Sequence, residues 1–279
     1  MPLIRNSYGK GRVRIMRVKR ETDRHEVREL TVKALLTGDF AANYTSDDNS
    51  TAIATDTVKN IVNIVARDNV GAENEPYAAA LAKYFLDHYL QVSQVDVTAS
   101  ETKWARLLVD GAPHQHSFLL DSNGKPFVKL SATRAGSTVT SGIENFTFMK
   151  TTESGWVGYV MDEVTTIKET ADRMCATAMD ASWRWSKAPS SYPEANAKVL
   201  ATALKVFATT YSPSVQNTMY LMGEAVLAAV PEIAEISMAC PNKHYLPIDL
   251  SLFGRNGDKQ VFTPTDEPHG QIECTVGRA

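Results

Sequence analysis

At 279 residues, 43% hydrophobic and 22% charged, the chain is long enough for two domains and able to bury a core. Its formal net charge of −3 argues against nucleic acid as the main partner. Cys175, Cys240 and Cys274 lie far apart without metal spacing, no apolar leader precedes a cleavage site, no run of about 18 apolar residues spans a membrane, and Gly277-Arg278-Ala279 is not a peroxisomal tripeptide, so a reduced, cytoplasmic protein is expected.

The first predicted strand, residues 12–20, falls in a stretch from Arg5 to Arg20 that holds seven basic residues and no acid. That run is either an electropositive surface that draws in anions or a solvated strand face. Residues 29–36 alternate, with Leu30, Val32, Ala34 and Leu36 on one face. After a polar loop the period changes. Val58, Ile61, Val62 and Val65 line one side of a helix, and Pro76 opens a second helix carrying Tyr77, Leu81, Tyr84, Phe85 and His88. Extended segments return at 92–99, 116–121 and 127–133, with Asn123-Gly124 as a hairpin signal between the last two.

The second half repeats this order. Residues 146–152 and 179–185 read as strands. Tyr192-Pro193-Glu194 and Ser212-Pro213-Ser214 each begin a helix, and extended segments follow at 235–240, 245–251 and 270–276. The chain is therefore expected to be α+β: two copies of hairpin, two helices, hairpin, with domains 1–134 and 135–279. An antiparallel sheet with both helices on one face has open edges, which an oligomer closing the sheets into a barrel would pair.

Single residues in this pattern carry ordinary alternatives. Ala54-Thr55-Asp56 is an N-cap, or an anion seat where helix N–H groups converge, and Ser214-Val215-Gln216 offers the same choice. Lys10 alone is a solvated cation, Arg173 beside Glu169 and Asp172 an ion-pair partner, His244 a structural histidine. His114 and His116 have no third ligand nearby in sequence, so no metal is expected. No GxGxxG, P-loop or GxSxG motif is present, which removes the signatures of nucleotide cofactor, flavin and serine nucleophile.

Taken together, five ordered motifs resemble the urate oxidases (uricases) over nearly the whole chain. They are Tyr8-Gly9-Lys10 with Val13-Arg14; Asp48-Asn49-Ser50 with Ala54-Thr55-Asp56-Thr57-Val58-Lys59-Asn60; Asp162-Glu163 through Asp172-Arg173; Ser214-Val215-Gln216 with Thr218-Met219-Tyr220; and Pro241-Asn242-Lys243-His244-Tyr245 with the ending Cys274-Thr275-Val276-Gly277-Arg278. The resemblance implies two tandem tunnelling-fold (T-fold) domains in a homotetramer around a hollow β-barrel, with active sites between subunits. It implies urate and dioxygen as substrates, no cofactor, no metal, no nucleic acid and no membrane. Lys10, Thr55 and His244 would form a proton relay, with Lys10 hydrogen-bonded to Thr55 and removing a second proton from urate. Arg173 and Gln216 would hold two edges of the ring, and the backbone N–H groups of Asp56 and Val215 would bind ring acceptors. Asn242 would lie near the dioxygen and water site. The products would be 5-hydroxyisourate and hydrogen peroxide. The stacking position is usually phenylalanine in this family, and here it is Trp156, with Val164 where an aromatic is usual and Ile167 where leucine is usual. A larger ring beside smaller neighbours either preserves pocket volume or shifts the stacking plane. The alternatives are a cyclohydrolase or aldolase of the same fold, which anchor the ring with glutamate, and a non-catalytic purine-binding oligomer.

Overall fold

The computed structural model describes residues 1–255 and 259–278; residues 256–258 and Ala279, the last member of the terminal tripeptide, lie outside the described residues. Two compact units divide the chain, Met1–Gly142 and Ile143–Ala279. The first contains β1 (Tyr8–Lys19), β2 (Glu26–Gly38), a short α1 (Ala41–Thr45), α2 (Thr55–Asp68), α3 (Asn74–His88), β3 (Val92–Val109), β4 (Ala112–Asp121) and β5 (Lys125–Thr133). Strand β6 (Gly136–Lys150) carries the chain from the first unit into the second. The second continues with β7 (Cys175–Trp185), α4 (Tyr192–Thr209), α5 (Val215–Ala229), β8 (Ile233–Ala239), β9 (Asn242–Pro247), β10 (Phe262–Gly270) and β11 (Glu273–Gly277). Among the described residues no helix is long and apolar enough to cross a membrane.

In the first unit the strands run β1-β2-β3-β5, and each of these neighbours pairs antiparallel. Period-two alternation puts Leu30, Val32, Ala34 and Leu36 of β2 and Val95, Val97 and Ala99 of β3 on the covered face. Helices α2 and α3 lay Val58, Ile61, Val62, Tyr77, Leu81 and Phe85 onto that face, so one core fills the space between sheet and helices. The basic run of β1 divides by the same alternation. Arg14 is exposed, but Arg17 points inward with Val13 and Ile15 and is only 4% exposed. Its guanidinium lies 4.7 Å from the centre of the Tyr77 ring, and Nη1 donates to the Asn69 carbonyl at the end of α2, at 2.7 Å. Neither a wholly solvated face nor a wholly free positive surface describes this strand.

The expected hairpin at Asn123-Gly124 is not one. Strand β4 pairs with the distal half of β3 (Lys103↔Asp121), and β5 pairs with its proximal half (Ser100↔Phe127). The Asn123-Gly124 step thus links two successive partners of one long strand. The tight hairpin lies instead at Asp110-Gly111 between β3 and β4, where both residues have positive φ, 52° and 80°. That is the backbone of a type I′ turn, for which Asp-Gly is a favoured pair.

In the second unit β7 pairs with β8, and β8 with β11; β9 pairs with the start of β7 and with β10. Helices α4 and α5 cover Met179, Ala181, Trp183, Ile236 and Met238 with Val199, Ala203, Phe207, Met219, Met222 and Val226. Strand order and helix placement thus repeat the first unit's plan.

Candidate active site

In the first unit the register of β1 decides where Lys10 points. Lys10 lies opposite Ala34, and Val13 opposite Val32, so two residues of β1 face one of β2 between them. The bulge falls at Gly11-Arg12, with Arg12 at φ 56°. Residues three apart on a regular strand face opposite ways. The bulge lets Lys10 and Val13 share the helix-covered face, because residues directly opposite in an antiparallel pair point to the same side. Gly9 allows the close approach of the strands here, since a Cβ would run into the Ala34 carbonyl.

Facing Lys10 is the start of α2. Thr55 and Asp56 are not its cap but its first two residues, and the cap position is Ala54, which has no side chain to accept a hydrogen bond. The first-turn N–H groups are thereby left open to an outside acceptor. The Asp56 carboxylate accepts from Lys59, in an ion pair, and from Asn60 at 3.2 Å. Those contacts, Lys59 first, with Lys10's charge adding a smaller share, hold Asp56 below the usual carboxylate range. The expected Lys10–Thr55 hydrogen bond is not made among the described residues.

In the second unit one residue gathers most of the others. The Ser154 carbonyl accepts the Arg173 backbone N–H at 2.8 Å, and Ser154 also bridges Ser212, two residues before the Ser214 cap of α5. Ser214 Oγ accepts the Asn217 N–H, and among the described residues the Val215 and Gln216 N–H groups have no partner. The Gln216 side chain is exposed and forms no hydrogen bond among the described residues. Trp156 is clasped to Thr170 by two backbone hydrogen bonds of 2.7 and 3.1 Å. The Arg173 guanidinium carbon lies 6.0 Å from the Trp156 ring centre, and its Nε is buried without a partner among the described residues. A buried guanidinium N–H without an acceptor is costly. Asn242 and His244 are the first and third residues of β9, where Asn242 pairs with Thr177 and His244 with Thr265.

Volume compensation around Trp156 does not come from Val164, which is 78% exposed; Trp156 instead stacks on Tyr159. Tyr159 and Ser154 escaped the sequence reading. An aromatic three residues after Trp156 across a glycine was the available signal for the first; Ser154 acts through its backbone, which no side-chain pattern reports. Below Val215 and Asn242 lies a small apolar cavity walled by Cys175, Thr177, Met219, Met222 and Cys240. Burial raises the Cys175 thiol and pushes Cys240 up to about 12, so neither is a ready nucleophile. His114 and His116 of β4 have rings 4.6 Å apart, with His25 5.8 Å from His116, yet among the described residues no set of three or more His, Cys, Asp or Glu is placed to hold a metal.

The fold and these residues define an α+β protein with a repeated sheet-and-two-helix plan, whose polar groups cluster at two open helix N-termini. A uricase family profile matches residues 6–131 and 139–273. The uricase of Arthrobacter globiformis is 38% identical over 273 residues, covering 98% of this chain and 89% of that protein, and the uricase of Aspergillus flavus is 38% identical over 289 residues, covering 98% and 95%. The crystal structure of the Arthrobacter globiformis enzyme superposes with a TM-score of 0.94, covering 100% of this chain and 95% of that one. The chain belongs to the uricase family.

Proposed function

We propose that this chain oxidises urate: urate, dioxygen and water give 5-hydroxyisourate and hydrogen peroxide, with no cofactor. The observation that carries this reading is the match to uricases along 98% of the chain. Urate is a flat anion edged with donors and acceptors. Arg173, with its unpartnered Nε, suits one edge by a two-pronged hydrogen bond, a geometry that lysine lacks. The Gln216 amide offers both a donor and an acceptor to the other edge. Open N–H groups at Asp56 and Val215 supply donors to ring acceptors, and Trp156 supplies a stacking face. Lys10, with Thr55 and His244 as relay partners, removes the second proton of urate; the electron-rich dianion then reduces dioxygen, with Asn242 beside the gas. The substrate supplies the electrons, so the reaction calls for no redox group from the protein.

In this reading each unit is a T-fold domain, and a homotetramer closes the sheets into a barrel. Lys10, Thr55 and Asp56 of one subunit then meet Trp156, Arg173, Val215, Gln216, Asn242 and His244 of another. The test is to mix purified protein with urate in air and follow urate absorbance, oxygen uptake and peroxide together. Equal loss of urate and oxygen with peroxide formed is the expected result. No turnover by a folded oligomer would refute the reading, and turnover abolished by a chelator would refute its cofactor-free part.

A further inference from the structure

Between Trp156 and Thr170 the chain leaves the clasp, turns, and returns. Gly158 makes the turn in the left-handed region, at φ 72°, and donates its N–H to Glu169 Oε1 at 2.6 Å. Only glycine enters that region at little cost, and the reversal lays Tyr159 back over Trp156. The two rings are nearly parallel, 11° apart, with centres 5.4 Å apart, an offset stack. Tyr159 is itself tied down, its hydroxyl donating to the Ile167 carbonyl at 2.9 Å.

The clasp to Thr170 fixes the Trp156 backbone but leaves the rotations of its side chain free. An indole serves as a wall only if those rotations are already restricted when the ligand arrives. Otherwise binding bears the cost of ordering the ring. We propose that Tyr159 is a positioning residue for this wall: it covers one face of Trp156 and holds the indole so that the opposite face receives a planar purine anion held at its edge by Arg173. The inference rests on the urate reading above and adds a residue to it.

The test uses Tyr159→Ala and Tyr159→Phe in the full-length protein. The first readout needs no urate. Protein labelled with 5-fluorotryptophan gives a fluorine resonance for Trp156, assigned with Trp156→Phe. Removing the neighbouring ring in Tyr159→Ala shifts that resonance, and Tyr159→Phe keeps it near its wild-type position. The second readout is urate affinity by calorimetry without oxygen, with kcat and KM then measured in air. Tyr159→Ala weakens urate binding and raises KM about three- to tenfold, the factor to which an aromatic pair's contribution converts, while kcat changes less than twofold. Tyr159→Phe restores both. An unmoved Trp156 resonance in Tyr159→Ala overturns the brace. A moved resonance with unchanged urate affinity overturns the positioning role. Tighter binding by Tyr159→Ala also overturns it, since Tyr159 would then occupy the face that the purine needs. A wild-type chain that binds no urate overturns the urate reading itself, and its failure is recognised because the fluorine spectrum is read independently.

Discussion

Gly155 offers a sharp test of how the segment carrying Trp156 is held. Its N–H donates to the Ser212 carbonyl at 2.8 Å, and a Cβ at this position would press into the Tyr211 hydroxyl while lying 3.1 Å from the Thr170 carbonyl oxygen and 3.3 Å from that of Ala171. In Gly155→Ala the soft response is for Tyr211 to swing away. That breaks its 2.9 Å hydrogen bond to the Ala171 carbonyl, costing about 0.5–1.5 kcal/mol. The two carbonyls must also give way by a few tenths of an ångström, adding about 1 kcal/mol. Loss of glycine's freedom in the unfolded chain returns about 0.4–1 kcal/mol. The net destabilisation is then about 0.5–2 kcal/mol. Urea unfolding of Gly155→Ala, Tyr211→Ala and the double variant reads the coupling directly. With the tyrosine ring gone the methyl group meets only the carbonyls, so Gly155→Ala costs about 1 kcal/mol less in that background than in the wild type. Equal costs in the two backgrounds would show that Tyr211 is not what excludes a side chain at this position.

Three further outcomes follow from the site and the core. Arg173→Lys keeps the charge but loses the planar fork, so KM for urate rises by about two orders of magnitude at most and at least tenfold in steady-state assays. Lys10→Met leaves anaerobic urate affinity within a few-fold and lowers kcat by about three orders of magnitude; a collapse of binding instead would make Lys10 an anchor, not a base. Glu29 is held below the usual carboxylate range by hydrogen bonds from Arg14 and then Trp104. A depressed carboxylate stabilises the fold above its unfolded pKa, near 4.3, and that stability disappears as pH falls through the lower folded value. Glu29→Gln is therefore less stable than wild type at pH 7, and urea unfolding across acidic pH shows the difference shrinking towards zero below that range.

What the sequence revealed and concealed follows from the kind of signal each element carries. Helix α2 was plain because Val58, Ile61, Val62 and Val65 repeat at helical spacing and all of them are buried. Strand β10 was hidden because Pro264 and Pro268 stand among polar residues and none of the strand is buried, so no alternation marks it. Arg17 looked like one more surface cation; only the inward phase it shares with Val13 and Ile15 places it over Tyr77. Asn123-Gly124 has good turn chemistry, but turn chemistry does not say whether the flanking strands pair with each other or with a third. The site motifs were legible as ordered strings of residues. The facing of Lys10 was not, because it depends on one extra residue in β1 that shifts the register without altering the composition.

The exchange of partners along β3 also has a mechanical side. Its proximal half is gripped by β2 on one edge and β5 on the other and lies beneath α3, with Val92, Val95, Val97 and Ala99 buried. Its last three residues, 107–109, have only β4 beside them among the described residues and bury nothing. One continuous backbone therefore runs from a clamped floor into a cantilever. Bending and fraying concentrate at the free end, while the floor that orients Ala34, and through it Lys10, stays still.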